Sequence, residues 1–357
     1  MTDLGEHIEL RVQLRRASFM LDVALTLPAR GVSVVFGPSG SGKSTLLRAI
    51  AGLESAARGR VRIGNTVWQD DRLRLPPHRR AVGVVFQHAA LLPHLSVHEN
   101  LRYGWQRCGA AAGALDEWID KLALGPLLAR APVSLSGGER QRVALGRALV
   151  CQPRWLLMDE PLSALDAERR AEILPYIETI RRQANIPVLY VTHGVEEAAR
   201  LADHLVLLEA GTVRVDGAAL DVLNRADLPL ALRDDAAAVI EASVVDVDSH
   251  GLLTLDTPVG ALYAHGRQPP PGVHVRVRVQ ARDVSIALSR PADSSVLNIV
   301  AATLEQLTVL PSGQLQLRLR AGKARLLARV SQQSARRLEL REGLPVWAQI
   351  KAVALLI

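Results

Sequence analysis

Residues Gly37, Pro38, Ser39, Gly40, Ser41, Gly42, Lys43 and Ser44 run as G-x-x-x-x-G-K-S. That spacing suits a backbone that wraps a chain of phosphates. Glycines let the chain curl so that its amides point inward, and a helix opening at the lysine aims its N-terminus at the anion. On this reading Lys43 reaches the β- and γ-phosphates, Ser44 holds Mg²⁺, and Thr45 joins the cofactor-binding run. Farther on, the apolar run 155–158 ends in Asp159 and Glu160. Beside a phosphate loop, Asp159 would bind Mg²⁺ through water and Glu160 would polarise the attacking water. Phosphoryl transfer needs mainly positioning and charge neutralisation, and these residue types provide both. Gln87 and His193 also end apolar runs. Singly, each is more often a satisfied polar residue. Together with Gly37 and Asp159 they make four groups at carboxyl ends of predicted strands, where open α/β sheets bind ligands.

The elements that must position these groups are legible as alternating patterns. Residues 32–36, 82–86, 155–158 and 188–192 read as buried strands. Residues 44–53, 138–150, 167–184 and 195–202 read as helices. Strands alternating with helices predict a mainly parallel sheet with crossovers, an α/β P-loop NTPase domain over residues 1–233. From residue 234 the pattern changes to two-residue alternation, clearest at 273–279 and 314–320, with Pro, Gly and Asp turns between. This predicts an all-β region of small OB-like barrels, divided into a connecting half-barrel at 234–290 and a second barrel at 291–357. A weak repeat lies inside it: the segment from Gly272 aligns with the segment from Gly343. It is read either as two related halves or as the chance likeness of alternating strands.

Composition excludes several classes. The formal net charge of +7 is scattered rather than blocked, and aromatics make up only 3%. No aromatic residues interleave a basic patch, so nucleic acid is not an expected partner. Cys108 and Cys151 are the only cysteines, allow at most one disulfide, and suit a reducing compartment. The first ten residues do not read as a signal peptide, and no apolar run reaches about 18 residues. Any membrane span must come from another subunit.

Leu135-Ser-Gly-Gly-Glu-Arg-Gln-Arg142 makes a two-glycine turn ahead of a helix, in itself either a cap or an anion site. It resembles the signature motif of ABC ATPases. The phosphate loop, Gln87, this motif, Asp159–Glu160, the Ser163-Ala-Leu-Asp166 segment and His193 stand in that family's order over about residues 8–233. The resemblance implies an ABC ATPase domain with a helical subdomain, working as a head-to-tail homodimer. ATP would be held by residues 37–45 of one chain and by Ser136, Gly137, Gly138, Glu139 and Asp166 of the other. Gln87 would touch the metal and sense the γ-phosphate, His193 would hold that phosphate, and Phe19 is the candidate for stacking on adenine. Import subunits with an extra C-terminal β-domain form a branch of the family. Residues 91–104 and 278–288 resemble its molybdate-type members, and 294–299 and 348–352 resemble the two ends of a Mop-type oxyanion barrel. That likeness implies an oxyanion contact at Ser295, Asn298 and Lys351. It also implies membrane permease subunits, a periplasmic oxyanion-binding protein and a peripheral place at the cytoplasmic face of a bacterial inner membrane. Sulfate, iron or polyamine importers are the nearest alternative, and a soluble non-transport ABC ATPase a more distant one.

Overall fold

The computed structural model describes residues 7–16, 19–183, 186–225, 228 and 233–356. The chain forms two compact units, residues 1–218 and 219–357.

The first unit is built on one ten-stranded sheet. β1 (His7–Arg16) and β2 (Phe19–Pro28) pair antiparallel from His7↔Pro28 to Arg16↔Phe19. Their alternate residues, Ile8, Leu10, Val12 and Leu14 against Leu21, Val23, Leu25 and Leu27, are all buried, as period-2 patterning requires. β3 (Val32–Phe36) is buried along its whole length. Next come β4 (Arg58–Ile63), β5 (Thr66–Gln69) and β6 (Val82–Val85). β7 (Trp155–Asp159) and β8 (Val188–Thr192) are again buried throughout, and β9 (His204–Glu209) and β10 (Thr212–Ala218) complete the sheet. The strand order is β5-β4-β1-β2-β10-β9-β3-β8-β7-β6. From β9 to β6 every neighbour is parallel. Continuous apolar runs in β3, β7 and β8 follow from this, because both faces of a parallel sheet are covered.

The helices fall within a few residues of expectation: α1 (Lys43–Ile50), α4 (Gly137–Leu149), α5 (Ala167–Gln183) and α6 (Val195–Leu201). α1 packs on β7 and β8. The stretch between β6 and α4 forms the helical subdomain, with α2 (Val97–Cys108) and α3 (Ala114–Lys121) packed against each other and against α4. Ser96 and Glu99 make a reciprocal cap at the start of α2, satisfying two otherwise orphaned amides. The Cys108 and Cys151 sulfurs pair as a disulfide between the end of α2 and the residues after α4. No helix among the described residues is long and apolar enough to cross a membrane.

The second unit begins at α7 (Ala219–Leu223). It holds two five-stranded antiparallel sheets that curl around one core. β11 (Ala237–Val247), β12 (Leu252–Asp256), β13 (Leu262–His265) and β14 (His274–Gln280) form the first sheet, ordered β13-β12-β11-β14-β20 with β20 (Ala354–Leu356). β15 (Val284–Ala287), β16 (Asn298–Val309), β17 (Gln314–Ala321), β18 (Ala324–Ser331) and β19 (Pro345–Ile350) form the second, ordered β15-β19-β16-β17-β18. Strands cross the expected boundary at residue 290. β15, from the earlier segment, pairs with β19, and β20, from the later one, pairs with β14. The two sheets share strands from both sides of that line, so they bury a common core. The compact break before them falls at 218/219, ahead of the expected 233/234.

Candidate active site

The phosphate loop leaves β3 and enters α1. Gly42, the residue before the helix, has φ +101°, and a side chain there would meet the Phe19 ring. A Cβ on Gly37 would strike the Leu208 carbonyl at 2.2 Å. Glycine is therefore required at both positions, by backbone conformation at the first and by space at the second. Pro38, Ser39 and Gly40 are exposed, Thr45 is half-buried, and Phe19 lies partly buried beside the loop. Phe19 thus stands beside the loop, packed against the core of the first unit.

Lys43 is only 4% exposed, and its Nζ donates to the carbonyls of Gly37 and Pro38, each at 2.9 Å. Burial pulls its pKa below the ordinary lysine value, against the raising influence of Glu160 and Asp159. Ser44 Oγ donates to Asp159 Oδ1 at 2.7 Å. Burial raises the Asp159 pKa and the nearby Glu160 charge adds to the rise, while the Ser44 hydrogen bond opposes it. Glu160 Oε1 stands 3.7 Å from Lys43 Nζ, and Glu160 Oε2 stands 3.2 Å from His193 Nδ1. Five of the expected residues therefore meet at the carboxyl ends of three adjacent parallel strands, β3, β8 and β7. The oxygens of Ser44 and Asp159 are the hard donors that Mg²⁺ takes. Among the described residues the buried Ser41 hydroxyl has no hydrogen-bond partner, an orphaned group within the same loop. These features fit a Mg²⁺–polyphosphate ligand.

Glu160 sits at φ +44°, a left-handed conformation uncommon for a side chain of this size. Its amide donates to the Val191 carbonyl at 3.0 Å, and Ser163 Oγ donates to its carbonyl at 2.9 Å. The backbone turn is thus pinned from both sides, holding the carboxylate between Lys43 and His193.

The remaining expected residues are elsewhere in the chain. Gln87 is exposed just past β6 and makes no hydrogen bond among the described residues. Ser136 caps α4: its Oγ accepts from the Glu139 amide at 3.2 Å, and Glu139 Oε2 accepts from the Ser136 amide at 2.6 Å. That backbone hydrogen bond, foremost, holds the Glu139 carboxyl below its ordinary range. Gly137 and Gly138 form the first turn of α4. Asp166 Oδ1 accepts from the Arg169 amide at 2.9 Å at the start of α5. Among the described residues, no hydrogen bond or ion pair joins residues 136–139 to residues 37–45 of the same chain.

Four contributors were not singled out by the sequence, although Gln141 lies within the signature segment. Glu197 accepts from both Tyr190 Oη and Thr192 Oγ1, each at 2.8 Å, and Thr192 Oγ1 accepts from the Gly194 amide at 3.0 Å. This buried network shapes the turn that presents His193. Gln141 Nε2 and Arg147 Nη2, both on α4, donate to the Phe86 and Ala90 carbonyls at 3.4 and 2.9 Å, strapping the Gln87 loop to the signature helix. Buried Arg80 donates to the Ala49, Ile50 and Leu75 carbonyls and to Gln69 Oε1. It thereby closes the carboxyl end of α1, the helix that opens at Lys43.

In the second unit, Ser295 and Lys351 line a cavity of about 500 Å³ with His265 and Tyr263. Asn298 borders it but is 6% exposed. Its Nδ2 donates to the Tyr263 carbonyl at 2.9 Å and its Oδ1 accepts from the Tyr263 amide at 2.6 Å. Asn298 is therefore a tie between β16 and β13, with its Oδ1 and one Nδ2 hydrogen committed to the Tyr263 backbone at the edge of the cavity.

The ABC transporter family matches residues 20–163, and the TOBE domain matches residues 294–357. The chain is 49% identical to "Molybdenum import ATP-binding protein ModC 1" of Azotobacter vinelandii, covering 99% of each. It is 51% identical to the molybdenum import ATP-binding protein ModC of Pseudomonas aeruginosa, covering 97% of this chain and 99% of that one. A solved ATP-binding cassette, a dimer in a post-hydrolysis state bound to ADP and phosphate, is 28% identical. It covers 59% of this chain and 98% of its own, with a TM-score of 0.50.

Proposed function

This chain belongs to the ATP-binding subunits of molybdenum-import ABC transporters, and from that premise we propose that its ATP hydrolysis drives molybdate uptake through a separate membrane permease. The convergence of Lys43, Ser44, Asp159, Glu160 and His193 carries the hydrolytic part. Lys43 binds the terminal phosphates in place of the loop carbonyls it now satisfies. Ser44 and Asp159 hold Mg²⁺, which supplies charge neutralisation along the phosphate chain when bound. Glu160 orients and deprotonates the attacking water, and His193 fixes the carboxylate on one side and the γ-phosphate on the other. Gln87, exposed at the edge strand, reports the state of the site to the permease.

Two chains pair head to tail in this reading. Ser136 and Glu139 cap their own helix, with Gly137 half-buried and Gly138 buried in its first turn, at an N-terminus whose dipole favours an anion. Because they make no contact with the phosphate loop of the same chain, the second half of the ATP site comes from a partner. Ser295 and Lys351 supply a hydroxyl and an ammonium toward an oxyanion in the second unit. The assembly sits on the cytoplasmic face of the inner membrane, fed by a periplasmic oxyanion-binding protein.

The test is reconstitution with the permease and measurement of ATPase rate against binding proteins loaded with molybdate, tungstate or sulfate. Stimulation by the first two and not the third is expected. Equal stimulation by sulfate would overturn the substrate, and hydrolysis insensitive to Lys43→Ala would overturn the chemistry.

A further inference from the structure

The β17–β18 hairpin carries a charge pattern that strand pairing disfavours. Arg318 and Arg320, two residues apart, share one face of β17, and Arg320 stands directly opposite Arg325 across the hairpin. Like charges in that relation destabilise a sheet. One carboxylate answers all three. A register shift between Leu304 and Gln306 makes Glu305 the extra residue of β16. Its oxygens lie 3.1, 3.7 and 2.9 Å from the Nε atoms of Arg318, Arg320 and Arg325. Each arginine's closest approach to the carboxylate is thus through Nε. The terminal guanidinium nitrogens of the three make no hydrogen bond among the described residues.

These arginines line a cavity of about 520 Å³ within the second unit. Its tip is fixed: Gly322 lies against the Pro258 carbonyl where a Cβ would come within 2.3 Å, and the Lys323 amide donates to the same oxygen at 2.9 Å. Lys323 and Arg325 therefore hold their places on the rim. The opposite wall is α7 and its following residues, where Asn224 bonds both backbone groups of Val239 and Arg225 closes the side. Five basic side chains face two carboxylates, Asp221 and Glu305, and no aromatic residue lines the cavity.

We propose that this pocket binds a short polyphosphate chain, at a place separate from the ATP site and from the cavity bordered by Ser295 and Lys351. Guanidinium forks match phosphate oxygens bidentately, and several forks in a row match several phosphates better than one tetrahedral ion. The missing aromatic platform leaves a nucleobase without a stacking partner, so recognition is of the phosphate chain, whether free or carried by a nucleotide. A local arrangement that costs sheet stability marks a functional site when a ligand offsets the cost.

Calorimetry with inorganic tripolyphosphate, on the full chain carrying Lys43→Ala to silence the phosphate loop, tests this. One site per chain is expected. Arg320→Ser with Arg325→Ser should weaken it at least ~10-fold, and Glu305→Gln, which removes the competing carboxylate, should tighten it a few-fold. A circular-dichroism melt of each variant checks folding. Should the double variant unfold, Lys323→Ala on the exposed tip is the substitute and should weaken binding about threefold. ATP binding within a few-fold of tripolyphosphate supports recognition of the phosphates alone. No heat at millimolar tripolyphosphate, affinity unchanged in both the double variant and Lys323→Ala, or equal affinity for sulfate or molybdate would overturn the proposal.

Discussion

Replacing Glu160 by Gln separates nucleotide binding from hydrolysis, because the amide keeps the shape of the side chain and removes only its charge and basicity. The geometry sets both halves of the expectation. Glu160 Oε1 lies 3.7 Å from Lys43 Nζ, an attraction of about 4 kcal/mol gross at an effective dielectric near 20. Most of it is offset by desolvation of the buried Lys43 and the half-buried Glu160. The carboxylate competes with the γ-phosphate for the same ammonium. Its loss should leave ATP affinity unchanged or raise it a few-fold. The chemical step loses its base, an effect of roughly 10²–10⁴-fold in turnover. The φ of +44° at this position is left-handed for Gln as for Glu, so the backbone cost is the same in both chains and does not confuse the comparison. Single-turnover hydrolysis gives the rate, equilibrium binding of ATP gives the affinity, and size-exclusion chromatography with ATP should show an accumulated dimer. Turnover within threefold of the parent, with normal ATP affinity, would refute the assignment of Glu160 as the base.

Mixing Ser136→Arg chains with Lys43→Ala chains should yield heterodimers with one intact composite site and one doubly damaged site. Cross-linking of ATP to Ser136 and Lys43 of one chain would refute the head-to-tail arrangement. Burial raises the Asp159 pKa above its unfolded value, so the folded state is favoured at low pH and loses stability as pH rises through the folded value. Asp159→Asn should therefore raise the unfolding midpoint of the nucleotide-free chain at neutral pH, an advantage that fades on acidification, while abolishing Mg²⁺-dependent hydrolysis; a pH-independent difference in midpoint would contradict this. Arg80→Met removes a buried guanidinium from four acceptors, and burial, joined by the nearby Arg74 charge, holds that group down to about 10. Urea unfolding should register a loss of about 3–5 kcal/mol, and a loss below about 1 kcal/mol would show that water replaces it. Arg147→Met frees the Ala90 carbonyl from α4 and should lower turnover with ATP affinity unchanged; parallel loss of affinity would place its effect in the binding site instead.

The cluster around Lys43 was legible because each member sits in a short local pattern of its own. Residues 37–44 carry their own turn chemistry, and Asp159, Glu160 and His193 end strands whose apolar runs announce a parallel sheet. Arg80 was not legible. It lies in the run Pro-Pro-His-Arg-Arg, which reads as solvated charge, and its acceptors are the last carbonyls of a helix about 30 residues earlier. Gly52, with φ +81° and an arginine nitrogen 2.7 Å from where its Cβ would stand, is the other half of that fit. Only the folded chain brings the two together. The structural part of Asn298 was hidden for the same reason. Its tie to a strand 35 residues away, whose Tyr263 backbone it bonds twice, exists only once that strand is in place.

The two segments of the weak repeat take the same local form and opposite places in the sheets. The segment from Gly272 gives β14 and β15, and the segment from Gly343 gives β19 and β20. In the first copy the leading strand lies in the first sheet and the trailing strand in the second; in the second copy the order is reversed. The leading strand of each copy pairs antiparallel with the trailing strand of the other, β14 with β20 and β19 with β15. A short three-residue break between strands, Ala281–Asp283 in one copy and residues 351–353 in the other, carries the chain from sheet to sheet, and the Lys351 amide donates to the Asp283 carbonyl at 2.8 Å where the two breaks meet. Alternation told which residues face inward, since a period of two sets the face and not the neighbour. It could not tell that the inward faces belong to one core. That shared core, with Val277, Val279, Val284, Val346, Ala348 and Ile350 all buried in it, is why a cut at residue 290 would expose apolar surface on both fragments and why residues 219–357 form a single compact unit.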